Sequence, residues 1–337
     1  MSASILRAVR RAAHAGTALG RIFLLGKRVP LFVSWNVTFR CNLRCRYCGA
    51  CDVHEEDLDT AGVLRGLDEL WALGARWITF GGGEPLLRPD MGEIMAHARN
   101  LGFEPFLSTN GWLLPRHMDV VRLAGHVNLS LDGPRAVHDE ARGVGAFDHT
   151  LAAARACRDA GVPVSFQCTL SSVNLRSVDD VVALAESMDV PVMFQPATAW
   201  LDSSARPNPI APERDPYRKT VDHLIELKHG GRPVANSVAG LRHLAHWPES
   251  APVWCGAGKI MAVVEPDGRL LACHQCDFAR TAAEHRGGAD ASITEQFART
   301  PALPGCAQCW CGPVVELAML FSMKPGAVFG ALRRLVE

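Results

Sequence analysis

At 337 residues and 48% hydrophobic content, the chain is long and apolar enough to fold around a substantial core, which excludes a disordered polypeptide. Its 35 Lys and Arg balance 35 Asp and Glu, so no overall field draws it to nucleic acid. Twelve cysteines fall mainly into two dense groups rather than across a small loop-rich scaffold, which favours metal ligation in a reducing compartment over disulfides.

The amino-terminal segment, residues 1–30, is basic: up to residue 51 there are nine Lys and Arg and no acid, while residues 52–337 hold 26 basic against 35 acidic residues. Ile5, Leu6 and Val9 with Arg7, Arg10 and Arg11 predict an amphipathic helix, either packed on the main body or lying on an anionic membrane surface. No apolar run approaches the ~18 residues of a membrane span, and no secretory signal pattern is present. A cytoplasmic protein is expected, with a peripheral contact at the inner membrane surface left open.

From residue 31 onward, short β-rich runs alternate with helical patterns, the signature of βα units around a parallel sheet. The predicted strands are residues 31–38, 77–80, 104–108, 127–131, 164–170 and 192–195. Helices are predicted over 60–73, capped by Asp59 or Thr60 and stopped by Gly74, over 148–160, stopped by Gly161, and over 214–229. Five prolines between 196 and 216 predict an irregular loop after the sixth strand, at the end of the sheet where a lid would sit. The expected fold is α/β: a partial (β/α)6 TIM-like barrel over 31–240, followed by a smaller cysteine-rich α+β domain over 241–312 and an amphipathic tail over 313–337.

The unusual motifs all follow strands. Cys41, Cys45 and Cys48 follow the first, Gly81-Gly82-Gly83-Glu84-Pro85 the second, Ser108-Thr109-Asn110-Gly111 ends the third and Ser130-Leu131-Asp132-Gly133 the fourth. In parallel βα barrels the carboxyl ends of the strands form the active-site mouth. Three thiolates on one loop can hold three irons of a cubane and leave the fourth iron open. The plain alternatives are a zinc knuckle, a simple turn at the glycines and a surface arginine at Arg142. Cys51 adds an ambiguity, because Cys45, Cys48 and Cys51 also match the start of a ferredoxin spacing. The downstream Glu55 and Glu56 favour Cys41 as the third ligand and Cys51 as a spare. Cys157 and Cys168 read as buried structural thiols.

The run Cys41 to Cys48 with Tyr47 before its last cysteine, the Gly82 to Glu84 turn, and Ser130-Leu-Asp-Gly with His138-Asp-Glu-Ala-Arg142-Gly143 together resemble the radical S-adenosylmethionine (SAM) enzymes with a cysteine-rich C-terminal extension. The resemblance implies a [4Fe-4S] cluster on Cys41, Cys45 and Cys48 whose open iron chelates SAM. It implies that Gly82, Gly83 and Glu84 contact the SAM amine, that the backbone around Tyr47 meets adenine, and that Ser108, Ser130 and Arg142 contact ribose or carboxylate. No side chain is expected to abstract hydrogen itself.

Near the C-terminus, Glu265-Pro-Asp-Gly268 predicts a hairpin that brings Cys255 close to Cys273. With Cys276, Cys306, Cys309 and Cys311 this arrangement resembles the auxiliary-cluster domains called twitch and SPASM, although six cysteines and the short spacing after Cys306 fall short of the full two-cluster pattern. One auxiliary [4Fe-4S] cluster is expected, with a four-thiolate zinc site as the alternative.

The implied activity is reductive cleavage of SAM to a 5′-deoxyadenosyl radical that takes hydrogen from a substrate, with flavodoxin or ferredoxin as reductant. The substrate expected is a peptide or an apolar, lipid-like small molecule, the latter suggested by the basic amino terminus and by Leu320, Phe321, Met323, Val328, Phe329, Leu332 and Leu335 in the tail. The competing class is a two-cluster electron carrier without SAM turnover.

Overall fold

The computed structural model describes residues 16–17, 20–22, 24–53, 56–201, 206–273, 291–302 and 308–322. The expected amino-terminal helix at Ile5 to Arg11, Cys276 and Cys306, and the tail from Met323 onward lie outside the described residues.

Six strands, β1 (Phe32–Thr38), β2 (Trp77–Gly82), β3 (Glu104–Thr109), β4 (His126–Ser130), β5 (Val164–Leu170) and β6 (Val192–Pro196), pair in parallel in chain order. Each is within two residues of its predicted bounds. The alternation within them gives each strand one face under the helices and one facing inward. On β1, Val33, Trp35 and Val37 are buried beneath helices, whereas Phe32, Ser34 and Asn36 face inward and stay half-exposed. Among the described residues the sheet runs from β6 to an eighth strand without closing, as a partial barrel does.

The helices have local causes. Helix α1 (Thr60–Leu73) starts where the Asp59 carboxylate accepts from the Gly62 N–H at 2.7 Å, and stops at Gly74 with φ +106°. It buries Val63, Gly66, Leu67 and Leu70 against the sheet. Helix α2 is Met91–Leu101, α3 Met118–Val121 and α4 Arg135–Arg142. Helix α5 (Ala146–Asp159) begins two residues before its predicted start, because Asp139 accepts from the Gly145 and Phe147 N–H groups and caps it from α4. Helices α6 (Val178–Ser187), α7 (Arg214–His229) and α8 (Val238–Leu244) follow, α7 with its predicted bounds.

The predicted C-terminal hairpin forms: β7 (Met261–Val264) and β8 (Leu270–Leu271) are antiparallel, and Gly268 turns at φ +85°. Its placement was not foreseen. All four residues of β7 are buried, and β7 pairs in parallel with β1, so the hairpin extends the barrel sheet rather than starting a separate one. Helices α9 (Ile293–Arg299) and α10 (Gly312–Phe321) complete the described elements. At the amino ends of the strands, Phe32 stacks on Trp77 with centroids 5.0 Å apart, Phe321 meets Phe32 edge-on at 6.2 Å, and Trp254 stacks on Phe321 at 5.4 Å. These four rings floor the lumen. The beginning of the expected amphipathic tail is therefore docked, with Phe321 spent on the floor. Among the described residues no helix is long and apolar enough to cross a membrane.

Gly66 marks the tightest helix-to-sheet contact: a Cβ there would fall 2.5 Å from the ring of fully buried Trp35. Gly66→Val is expected to cost about 1–3 kcal/mol through overpacking, read as a lowered thermal midpoint, whereas Ala152→Val at an exposed position of α5 changes the midpoint little.

Candidate active site

The four motif loops converge at the carboxyl ends of β1 to β4. The loop after β1 carries the thiols and is tied down by backbone bonds: the Cys48 N–H to the Cys45 carbonyl at 3.0 Å, and the Arg46 N–H to the Ala141 carbonyl of α4 at 2.9 Å. The Cys51 thiol donates to the Leu43 carbonyl at 3.1 Å within the same loop. Burial pushes the Cys41 thiol up to about 12 and the Cys45 thiol to about 11, the latter against the opposing pull of Arg142.

The glycine turn is shaped by this loop. The Gly83 N–H donates to the Thr38 carbonyl at 2.7 Å and the Glu84 N–H to the Arg40 carbonyl at 2.9 Å. A Cβ on Gly82, which sits at φ +108°, would lie 2.3 Å from the Thr38 oxygen, and one on Gly83 would lie 2.2 Å from the Arg40 oxygen. The glycines thus admit the backbone of the cysteine loop itself. Glu84 differs from its expected role, because its fully buried carboxylate turns inward to the end of β3. It accepts from Thr109 Oγ1 at 2.8 and 2.9 Å, from the Asn110 N–H at 2.9 Å and from the Leu86 N–H at 3.2 Å. Its backbone is engaged as well, the N–H by Arg40 and the carbonyl by the Leu87 N–H at 3.1 Å. Burial raises its carboxyl to about 7, against the hydrogen bonds from Asn110, Thr109 and Leu86.

Ser108 and Ser130 take inward-facing, half-exposed positions at the ends of β3 and β4. Arg142 is neither a surface residue nor a free ligand: it is 8% exposed, and its Nε meets Asp132 Oδ2 at 2.5 Å. Its guanidinium lies over the Tyr47 ring at 5.4 Å, and the Tyr47 hydroxyl donates to the same Asp132 oxygen at 2.7 Å. The sequence reading passed over Asp132 itself. Its Oδ1 accepts from the Thr169 N–H at 2.9 Å, its N–H donates to His138 Nδ1 at 3.0 Å and its carbonyl accepts from Asn174 Nδ2 at 2.8 Å. Burial disfavours its charge, but Arg142 and the other donors hold its carboxyl below the ordinary range. His138, pushed down to about 4 by burial, is neutral. The signal in the sequence was an aspartate directly after a strand end, followed by a histidine and an arginine.

Of the second cysteine group, Cys255 packs with Cys273, Ala257 and Ala272, as the hairpin predicted. Cys309 lies in the main core instead, where its carbonyl is 3.0 Å from His243 Nε2, and Cys311 stands at the start of α10. Cys157 and Cys168 are buried core thiols, as expected. Among the described residues no three His, Cys, Asp or Glu side chains converge as they would on one ion.

Two outcomes follow. Asp132→Asn, which leaves Arg142 buried without its counter-charge, is expected to cost about 3–5 kcal/mol in thermal or denaturant unfolding, while Asp132→Asn with Arg142→Gln costs less than the sum of the single changes. Because Glu84 is raised from the usual 4.5 to about 7, its contribution is fully present below pH 4.5 and is lost as pH rises through 7. Glu84→Gln is expected to flatten that decline, about 3 kcal/mol at most, in stability measured from pH 4.5 to 8.

A family model described as the radical SAM superfamily matches residues 35–186. The chain is 37% identical over 166 residues to an Fe-coproporphyrin III synthase of Methanosarcina barkeri, covering 47% of this chain and 42% of that protein. It is 30% identical over 264 residues to a PqqA peptide cyclase of Xanthomonas oryzae pv. oryzae, covering 74% of this chain and 69% of that one. The chain spans about half the length of the curated heme-synthesis relatives it matches. Among solved structures, Streptococcus suis SuiB bound to its precursor peptide SuiA superposes with a TM-score of 0.67 at 13% identity, over 86% of this chain and 69% of that one, a likeness of fold. Sharing 30% of its residues with a relative of which it covers more than two thirds, and carrying three thiols at the mouth of a partial barrel, the chain belongs to the radical SAM superfamily.

Proposed function

We propose that this chain cleaves SAM reductively and directs the resulting radical at a peptide held in the barrel lumen. The observation that carries the reading is the placement of Cys41, Cys45 and Cys48 on a single loop at the mouth, backed against the glycine turn. When bound there, a [4Fe-4S] cluster with SAM on its open iron supplies the electron that splits SAM into methionine and a 5′-deoxyadenosyl radical.

The chain's own residues hold and shield. Cys41, Cys45 and Cys48 are the ligands, and their raised thiol pKa values mean that loading must displace protons. Backbone carbonyls at Gly82 and Gly83 suit an ammonium group, and Ser108 and Ser130 offer hydroxyls from the neighbouring strand ends. Tyr47, fixed by its bond to Asp132, sets the loop backbone that would meet adenine. Arg142 supports that loop, and the edge of its guanidinium not engaged by Asp132 is the part left to reach a carboxylate.

For the substrate, the inward-facing strand positions support a neutral, amide-rich group. Asn36, Ser108, Asn128, Ser130, Ser165 and Gln167 share the inward face with His126 and Glu104, and no inward-facing strand residue among those described is Lys or Arg. A polycarboxylate such as a porphyrin would find no guanidinium or ammonium on those strand faces. A tetrapyrrole is nevertheless the second reading, because the heme-synthesis relatives match at 34% to 37% identity. The C-terminal unit, residues 241–312, is proposed to carry one auxiliary cluster, with Cys255 and Cys273 as its nucleus and Cys276, Cys306, Cys309 and Cys311 as further candidates. A flavodoxin or ferredoxin is the proposed reductant.

Anaerobically reconstituted protein incubated with SAM and dithionite is expected to release 5′-deoxyadenosine, and Cys41→Ala, Cys45→Ala or Cys48→Ala to abolish it while Cys51→Ala retains it. Absence of SAM turnover in fully iron-loaded protein identifies an electron carrier instead. Stimulation of turnover by coproporphyrin III, and not by a candidate precursor peptide, selects the tetrapyrrole.

A further inference from the structure

Asn110 in the third motif loop has every polar atom engaged, and it faces the cysteine loop. It is 8% exposed. Its N–H donates to Glu84 Oε2 at 2.9 Å, and its carbonyl accepts from Thr150 Oγ1 at 3.2 Å. Its Oδ1 accepts from the Trp112 N–H at 2.9 Å, which fixes the amide orientation and points the amino group the other way. That amino group has two hydrogens and two acceptors: Asn42 Oδ1 at 2.9 Å and the Cys41 sulfur at 3.8 Å.

We propose that Asn110 is a positioning residue that donates an N–H to the Cys41 sulfur and thereby eases reduction of the cluster on which SAM cleavage depends. Hydrogen bonds to cluster sulfurs are among the levers that set reduction potential, because they stabilise the added negative charge. The inward turn of Glu84 belongs to the same device. Its carboxylate, anchored on Thr109, holds the Asn110 backbone, so the Gly-Gly-Glu turn and the first cysteine are joined through one amide. Desolvation strengthens the contact, since Asn110 and Glu84 are both removed from water.

This inference rests on the proposal that Cys41, Cys45 and Cys48 hold a cluster, and iron and sulfide analysis of the unmodified protein tests that proposal by itself. Two variants separate the N–H from packing. Asn110→Asp keeps the shape and an oxygen for Trp112 but presents no amino donor; Asn110→Leu removes donor and acceptor together. The readout is an EPR-monitored redox titration without SAM. Both variants are expected to retain the iron content of the unmodified protein and to titrate at more negative potential. At the poise where the unmodified cluster is half reduced, the reduced fraction should fall to about a quarter or less, a threefold change in the ratio. An unchanged titration in both variants overturns the inference, as does a shift in one variant alone: in Asn110→Leu alone it assigns the effect to Trp112, and in Asn110→Asp alone to the added carboxylate charge. Loss of the cluster from both variants also overturns it, since Asn110 would then serve retention rather than potential.

Discussion

The mouth of this barrel hangs on a single buried carboxylate. Asp132 is fully buried; its oxygens are filled by the Thr169 N–H, the Tyr47 hydroxyl and the Arg142 guanidinium, and its own peptide is gripped by His138 and Asn174. Those five partners come from the cysteine loop, from α4, from the end of β5 and from the turn beyond it. A buried ion pair is weak support for stability, but one that lacks either partner is costly, so such an arrangement favours a unique geometry over a merely compact one. The cysteine loop inherits that geometry, because Tyr47 stands between Cys45 and Cys48.

On the opposite side the same loop is set by the absence of side chains. Gly82 and Gly83 leave room for the carbonyls of Thr38 and Arg40 at distances that no Cβ tolerates, and two backbone bonds close the seam. Glycine here serves chain-to-chain contact before it serves any ligand. Glu84 follows the same logic, pointing its carboxylate away from the mouth and into the seam between β2 and β3. Polar residues in the three motif loops thus divide into those that touch one another and those, such as Ser108 and Ser130, that face the lumen.

Much of the fold was legible because it rests on local rules. Short β-rich runs between helical patterns marked six strands, and Asp59 with Gly74 bracketed α1 to the residue. The cysteine loop and its neighbours could be assigned to one mouth, since parallel βα topology puts all strand ends on the same side. What escaped was decided by distant partners. The direction of Glu84, the burial of Arg142 and the part played by Asp132 depend on residues as far as 85 positions away, for which spacing has no symbol. The early start of α5 had a near cause, but in the preceding helix rather than at the cap itself. That β7 pairs with β1 was hidden for a similar reason: a short apolar run reads alike in a separate hairpin and in a two-sided parallel strand.

The aromatic cluster at the amino ends of the strands ties the C-terminal helix to the barrel. Phe32 and Trp77 belong to β1 and β2, Trp254 precedes β7 and Phe321 ends α10, so one set of stacked and edge-on rings joins the first two strands to the last described helix. Displacing α10 would bare those rings at the end of the sheet opposite the cysteine loop.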